Sequence, residues 1–190
     1  AETGEHAKGL GLRRVGIFTD PGVRKFGYVD TVTRALGAAD IDFAIYDAVS
    51  VEPTDASFRH AARFAVEGRF DGFVSIGGGS CTDLTKNLAV CLKHGLRTPE
   101  SMEAYHIVVN ADHSVTAPAF AGPDIPVVIA PTTLSGGEFN ALSGATDKVT
   151  NVKQGYAHPG MTARAVIMDP ALTVHTPEWI WLSTGVRSFD

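Results

Sequence analysis

Phe73-Val74-Ser75-Ile76-Gly77-Gly78-Gly79-Ser80-Cys81-Thr82-Asp83-Leu84-Thr85-Lys86 is the stretch whose reading decides the fold. A short apolar run leads straight into three glycines. Behind them Leu84, Leu88, Cys91 and Leu92 recur at helical spacing until Gly95. This is a buried strand, a tight turn and a helix. Glycines lack Cβ, so the backbone there can approach a ligand closely. The helix start offers unpaired N–H groups and the positive end of the helix dipole, a combination suited to a pyrophosphate. Ser80 can add a hydroxyl donor. A strand-to-helix turn needs no ligand, however, and the pattern is neither the phosphate loop that ends in Gly-Lys-Ser/Thr nor Gly-x-Gly-x-x-Gly. The charges sharpen it. Asp83 suits a helix N-terminus for dipole reasons alone. Lys86 opposes the dipole and calls for a bound anion or a carboxylate to compensate it.

The flanks repeat the same alternation. Upstream, Val15-Gly16-Ile17-Phe18-Thr19 predicts a strand delivered into Asp20-Pro21-Gly22. Val29, Val32, Ala35 and Leu36 predict a helix ended by Gly37, Ile41 to Tyr46 a second strand, and Phe58, Ala61, Ala62 and Ala65 a helix ended by Gly68. Short apolar strands separated by amphipathic helices predict an α/β fold, a parallel sheet covered on both faces in the manner of a Rossmann-like dinucleotide-binding domain. In such a fold Asp20, just past the first strand, can accept hydrogen bonds from a ribose diol and repel a 2′-phosphate, favouring NAD over NADP. The competing role is a turn-forming Asp before proline. Downstream, residues 96–126 read as loop with one short helix near Met102. Pro126 to Ala130 reads as a buried strand leading into Pro131-Thr132-Thr133, Ala141 to Lys153 as an exposed hairpin, and Ala165 to Met168 as a further strand. Pro177 to Asp190 reads as helix, and its Trp179, Ile180, Trp181 and Leu182 form apolar surface that wants a partner. The expected division is therefore 1–175, the dinucleotide-binding domain, and 176–190, the first helices of a second, helical domain.

Bulk properties exclude several functions. Hydrophobic residues at 44% and charged residues at 19% describe an ordinary globular chain. The formal net charge of -5 and the lack of a basic stripe argue against nucleic acid. No apolar run is long enough for a transmembrane helix, and the polar start of the chain lacks a signal-peptide core, so no membrane partner and a cytoplasmic location are expected. Cys81 and Cys91 fall in one helix and read as reduced, buried thiols. None of the seven histidines forms an i,i+4 pair or His-x-His, so each reads as a surface or loop residue rather than a metal ligand.

Three motifs taken together resemble one family. They are Gly77 to Lys86 as Gly-Gly-Gly-Ser-x-x-Asp-x-x-Lys, Pro131-Thr132-Thr133-Leu134-Ser135-Gly136-Gly137-Glu138, and Asp169-Pro170 followed by Pro177. Over nearly its whole length the chain resembles the iron-containing (group III) alcohol dehydrogenases. The resemblance implies an NAD(P)-dependent oxidoreductase of two domains, a homodimer, acting on a small alcohol, aldehyde or oxo-acid. It implies that Gly77, Gly78, Gly79, Ser80 and Lys86 belong to the cofactor motif, with the pyrophosphate on Gly78, Gly79 and Ser80. Asp83, Thr132, Thr133 and Leu134 would line the cofactor cleft, with Asp20 near the adenosine ribose. A divalent metal, Fe or Zn, is held in this family by an Asp and three His of the C-terminal domain. Here Gly185-Val186-Arg187-Ser188-Phe189-Asp190 puts Arg187 where the ligand Asp stands, and an arginine cannot ligate a metal. Asp190 is one residue off in spacing. The shortened interval from Pro-Thr-Thr to Glu resembles the maleylacetate reductases, relatives that lack the metal Asp and act without metal. Asp83 and the insertion at 96–126 look more like the general alcohol dehydrogenases, and Val51-Glu52-Pro53-Thr54-Asp55 is similar to the hydroxyacid–oxoacid transhydrogenases. The chain is placed in a maleylacetate-reductase-like branch, with Arg187 as the candidate catalytic residue that holds an anionic substrate. A nucleotide-binding module without catalysis and a dehydroquinate-synthase-like lyase are the competing readings.

Overall fold

The computed structural model describes residues 2–50, 55–147 and 150–186. In chain order the elements are α1 (Glu2–Gly9), β1 (Arg14–Thr19), α2 (Pro21–Arg24), α3 (Tyr28–Ala38), β2 (Asp42–Tyr46), α4 (Asp55–Glu67), β3 (Gly72–Gly77) and α5 (Gly79–His94). There follow β4 (Val108–Val109), β5 (Val115–Thr116), β6 (Val127–Pro131), β7 (Leu142–Thr146), β8 (Lys153–Ala157), β9 (Ala165–Val166) and α6 (Glu178–Gly185). Five strands form one sheet in the order β2-β1-β3-β6-β9, every pair parallel. The predicted α/β class holds.

Strand periodicity explains why both faces are covered. Along β1, β3 and β6, Phe18, Phe73 and Ile129 point to one side, where Ala61, Ala62 and Ala65 of α4 and Leu88 and Cys91 of α5 close over them. Ile17, Val74, Ile76, Val128 and Ala130 point to the other, against Val29, Val32 and Leu36 of α3. Phe18 and Phe73 meet edge-on with centroids 4.9 Å apart, at the centre of the first layer. Burial on both faces leaves β3 without a single exposed residue. Such a strand reads in sequence as a continuous apolar run rather than an alternating one.

Several elements differ from expectation. Helix α1 was not foreseen. It packs on α3 through Gly4 and Ala7, and a Cβ at Gly4 would lie 2.2 Å from the Ala35 carbonyl oxygen. Its buried residues are only Thr3, Gly4 and Ala7, too little apolar signal for a periodicity reading. Within 96–126 the helix near Met102 is a 3-10 turn, Pro99–Tyr105, capped by Thr98, and β4 and β5 form an additional small antiparallel hairpin. The hairpin of β7 and β8 is not wholly exposed. Ser143 and Tyr156 are buried, and the Ser143 hydroxyl donates to Asn87 Oδ1 on α5 at 2.5 Å. The strand predicted over 165–168 pairs through only two residues.

Candidate functional site

The carboxyl ends of β1, β3 and β6 open into a cleft of about 910 Å³. Its floor is the turn between β3 and α5. Gly77 has φ 153°, and a Cβ there would lie 2.5 Å from Cys81 Sγ. A Cβ on Gly78 would come to 3.0 Å from Thr133 Cγ2, and one on Gly79 to 3.2 Å from Ser135 Oγ. The glycines thus let the turn lie flat against the segment that follows β6, which is anchored by the Thr132 amide donating to the Gly77 carbonyl at 3.0 Å. Gly78 caps α5 without any side-chain acceptor, so the first amides of a 16-residue helix face the cleft without a capping side chain. Thr133 Oγ1 is buried and finds no hydrogen-bond partner among the described residues. An uncapped helix start, a cradle that any Cβ would crowd and an orphaned hydroxyl fit the phosphate-bearing middle of a dinucleotide.

Asp20 lies on the cleft wall at the end of β1. Its Oδ1 accepts from the Val23 amide at 2.9 Å, capping α2, and its Oδ2 faces the Cys81 thiol at 3.6 Å. The turn-forming role is therefore real, and the carboxylate still borders the cleft. Burial, and then Asp20 beside it, push the Cys81 thiol well above the ordinary cysteine range. Both effects disfavour the thiolate, the reactive form of a cysteine. Asp83 also lines the cleft. Its burial raises the carboxyl pKa, opposed by Lys153, whose Nζ lies 3.6 Å from Asp83 Oδ2. Gly78, Gly79, Ser80, Thr132 and Thr133 line the cleft as well, while Gly77 lies buried beneath it.

Leu134 and Lys86 do not themselves line the cleft. Leu134 turns toward α6: its amide donates to Thr184 Oγ1 at 3.2 Å, and its Cδ1 would be 3.3 Å from a Cβ on Gly185. Lys86 was expected to need an anion or a carboxylate. Its hydrogen bonds go to carbonyl oxygens, with Nζ donating to Gly137 at 2.6 Å, Asn140 at 2.7 Å and Leu142 at 3.0 Å, while the Asp83 and Glu138 carboxylates nearby offset its charge. Arg187 and Asp190 lie outside the described residues, as does the run 51–54. Among the described residues no group of three or more His, Cys, Asp or Glu could hold a metal ion, and no helix is long and apolar enough to cross a membrane.

Residues 1–170 match the family described as iron-containing alcohol dehydrogenase. The chain belongs to that family. It is 33% identical to Dehydrogenase ALT3 of Alternaria alternata over 181 residues, covering 95% of this chain and 46% of that protein. It is 31% identical over 187 residues to the mitochondrial hydroxyacid-oxoacid transhydrogenase of Rattus norvegicus, covering 97% of this chain and 38% of that one. The crystal structure of a 1,3-propanediol oxidoreductase superposes with a TM-score of 0.79 at 27% identity, over 96% of this chain and 44% of that one. The chain thus spans under half the length of these relatives.

Some cleft residues of this iron-containing alcohol dehydrogenase family member escape a reading of the sequence. Lys153 reaches the cleft only because β7 and β8 fold back on α5, and as one polar residue in an alternating run it gave no signal. Phe26, Tyr28 and His175 form one rim, with the Phe26 and His175 rings stacked 4.4 Å apart at 22°. His175 is exposed, as its sequence context predicts. Its place beside Phe26 depends on a chain path that returns across the ends of the strands.

Proposed function

We propose that the whole protein is an NAD(P)-dependent oxidoreductase that moves a hydride between nicotinamide and the carbinol or carbonyl carbon of a small alcohol, aldehyde or oxo-acid. The described residues would supply the cofactor half. The observation that carries this reading is the uncapped start of α5, set behind three glycines at the floor of the cleft. Residues 1–175 would form the dinucleotide-binding domain, and 176–190 would begin the helical one. The apolar side chains left exposed on α6, Trp179 and Leu182, suit a helix that continues into such a domain. A homodimer is the proposed assembly.

The nicotinamide supplies the hydride donor or acceptor when bound. The protein's own contribution is position and electrostatics. The α5 amides and Ser80 would hold the pyrophosphate, with Thr133 donating from the wall. Asp20 would accept from the adenosine ribose and repel a 2′-phosphate, so NAD is the proposed cofactor. Asp83 and Lys153 form a polar pair on the cleft wall, where Lys153, 66% exposed, can meet an anionic group.

A second reading is reduction of an oxo-acid without a metal, in the manner of maleylacetate reductases. Arg187 in the place of the metal-ligand Asp favours it, because a guanidinium can bind a carboxylate or a developing alkoxide but cannot hold a cation. Titration of the full-length protein with NADH and NADPH tests the cofactor reading. Tighter binding of NADH is expected, and Asp20→Gly should narrow that preference by on the order of tenfold. Failure of both dinucleotides to bind would sink it. Arg187→Ala tests the second reading: unchanged kinetics on a keto-acid would remove Arg187 from substrate binding.

A further inference from the structure

Lys86 is 0% exposed, an unusual place for a lysine. Its three ammonium protons are all taken by carbonyls, those of Gly137, Asn140 and Leu142 at 2.6, 2.7 and 3.0 Å. Asn140 Oδ1 stands further off at 3.4 Å. The three carbonyls belong to the segment joining β6 to β7, and Gly137, Asn140 and Leu142 each line the cleft. Lys86 itself does not. It rises from α5, the helix whose first turn forms the cleft floor, so one side chain ties the floor to the wall that faces it.

The chemistry of that tie is specific. Three carbonyl oxygens that converge on one point repel each other unless a cation or a donor stands between them. An ammonium on a flexible stem offers three tetrahedral protons to three oxygens, whereas a guanidinium presents a flat fork. The charge is balanced from two sides, by Glu138, buried within the same segment, and by Asp83 three residues earlier on α5. The arrangement is that of a built-in cation around which a loop is wrapped.

We propose that Lys86 is a positioning residue of the dinucleotide cleft: its ammonium holds the wall at 137–142 at a fixed height over the start of α5 and so sets the width available to the cofactor. This rests on the cofactor reading given above. The geometry also specifies a chemical rescue. Lys86→Ala removes the three methylenes and the ammonium beyond Cβ, a group equal in size and charge to n-propylammonium.

The test uses the full-length protein and the dissociation constant of NADH, followed by fluorescence well below the thermal midpoint of each variant. Lys86→Ala is expected to weaken NADH binding by on the order of tenfold or more. Addition of n-propylammonium chloride should restore binding, while sodium chloride at equal ionic strength should not. Lys86→Arg should remain weak with either salt. A lysine with a purely structural role would lower the thermal midpoint and leave the NADH affinity of the folded protein alone. Lys86→Ala binding within about twofold of the parent overturns the inference, as does weakened binding that saturating propylammonium leaves unrestored. If Lys86→Ala is insoluble, refolding with propylammonium should yield soluble, NADH-binding protein, and parent-like affinity in Lys86→Arg overturns the inference. If the parent protein binds neither NADH nor NADPH, the cofactor reading falls and this inference falls with it. A failure confined to the variants overturns the inference alone.

Discussion

At the scale of single residues, the ionisable groups around the cleft are shaped by burial more than by pairing. Burial lifts the Asp83 carboxyl pKa even with Lys153 nearby. The sign for stability follows directly. A carboxyl whose folded pKa lies above its unfolded value stabilises the fold below the ordinary aspartate value of 3.8, and that contribution is lost as pH rises through the folded value. Asp83→Asn removes the charge and keeps the shape. Its thermal midpoint should therefore rise relative to the parent at neutral pH and converge with it in acid, as checked by calorimetry across pH. A lower midpoint at neutral pH would mean that the Lys153 pair outweighs burial. The thiols follow the same rule. Burial pushes the Cys91 pKa up to about 12, and Cys81 is raised by burial and by Asp20. A thiol-specific reagent at about pH 8 should label neither cysteine in the native protein and both after denaturation. Rapid native labelling of Cys81 would show that the floor of the cleft opens.

At the scale of elements, glycine positions decide how the turn meets the helix. Gly95 ends α5 in the left-handed region with φ 67° and open space where a Cβ would go, so only backbone strain opposes a side chain. Gly77 combines a positive φ with the 2.5 Å approach to Cys81 Sγ. Gly95→Ala should cost about 1 kcal/mol, as at other helix C-caps, and Gly77→Ala roughly 2–4 kcal/mol, because strain and overlap add. Urea denaturation of the two variants gives the comparison. Equal costs would show that the turn moves aside to accept Cβ. The helix start itself was legible in sequence, because three glycines between an apolar run and a helical pattern admit few structures. The hairpin of β7 and β8 was legible as a hairpin but not as a wall of the cleft, since its burial comes from α5, a partner distant in sequence.

At the scale of the whole molecule, α6 carries large apolar side chains that the described residues leave largely uncovered. Trp179 is 71% exposed and Leu182 60%, while the other side of the helix is tied to the segment after β6 through Thr184. The proposed helical domain is expected to cover these side chains in the full-length protein. Trp179→Ser should then lower the thermal midpoint of the full-length protein, by roughly 1–3 kcal/mol of stability, and leave a protein of residues 1–190 nearly unaffected. Equal effects in both would place the partner of Trp179 within these residues.

The sequence by itself determined the class of the fold, the order of strands and helices along the chain and the place of the glycine turn that opens α5. Each rests on local physics: periodicity of apolar residues, the missing Cβ of glycine and the dipole of a helix start. Motif resemblance also pointed to the family that the match over 1–170 establishes. Only the tertiary structure decided what Lys86 does. Its position near the start of α5 calls for a bound anion or a carboxylate to compensate it, and says nothing of three carbonyls. The three carbonyls that occupy its ammonium lie 51 to 56 residues away along the chain, and nothing in their own residue types marks them as partners of a cation. Every residue carries a carbonyl, so which ones converge on a buried charge is a property of the path of the chain.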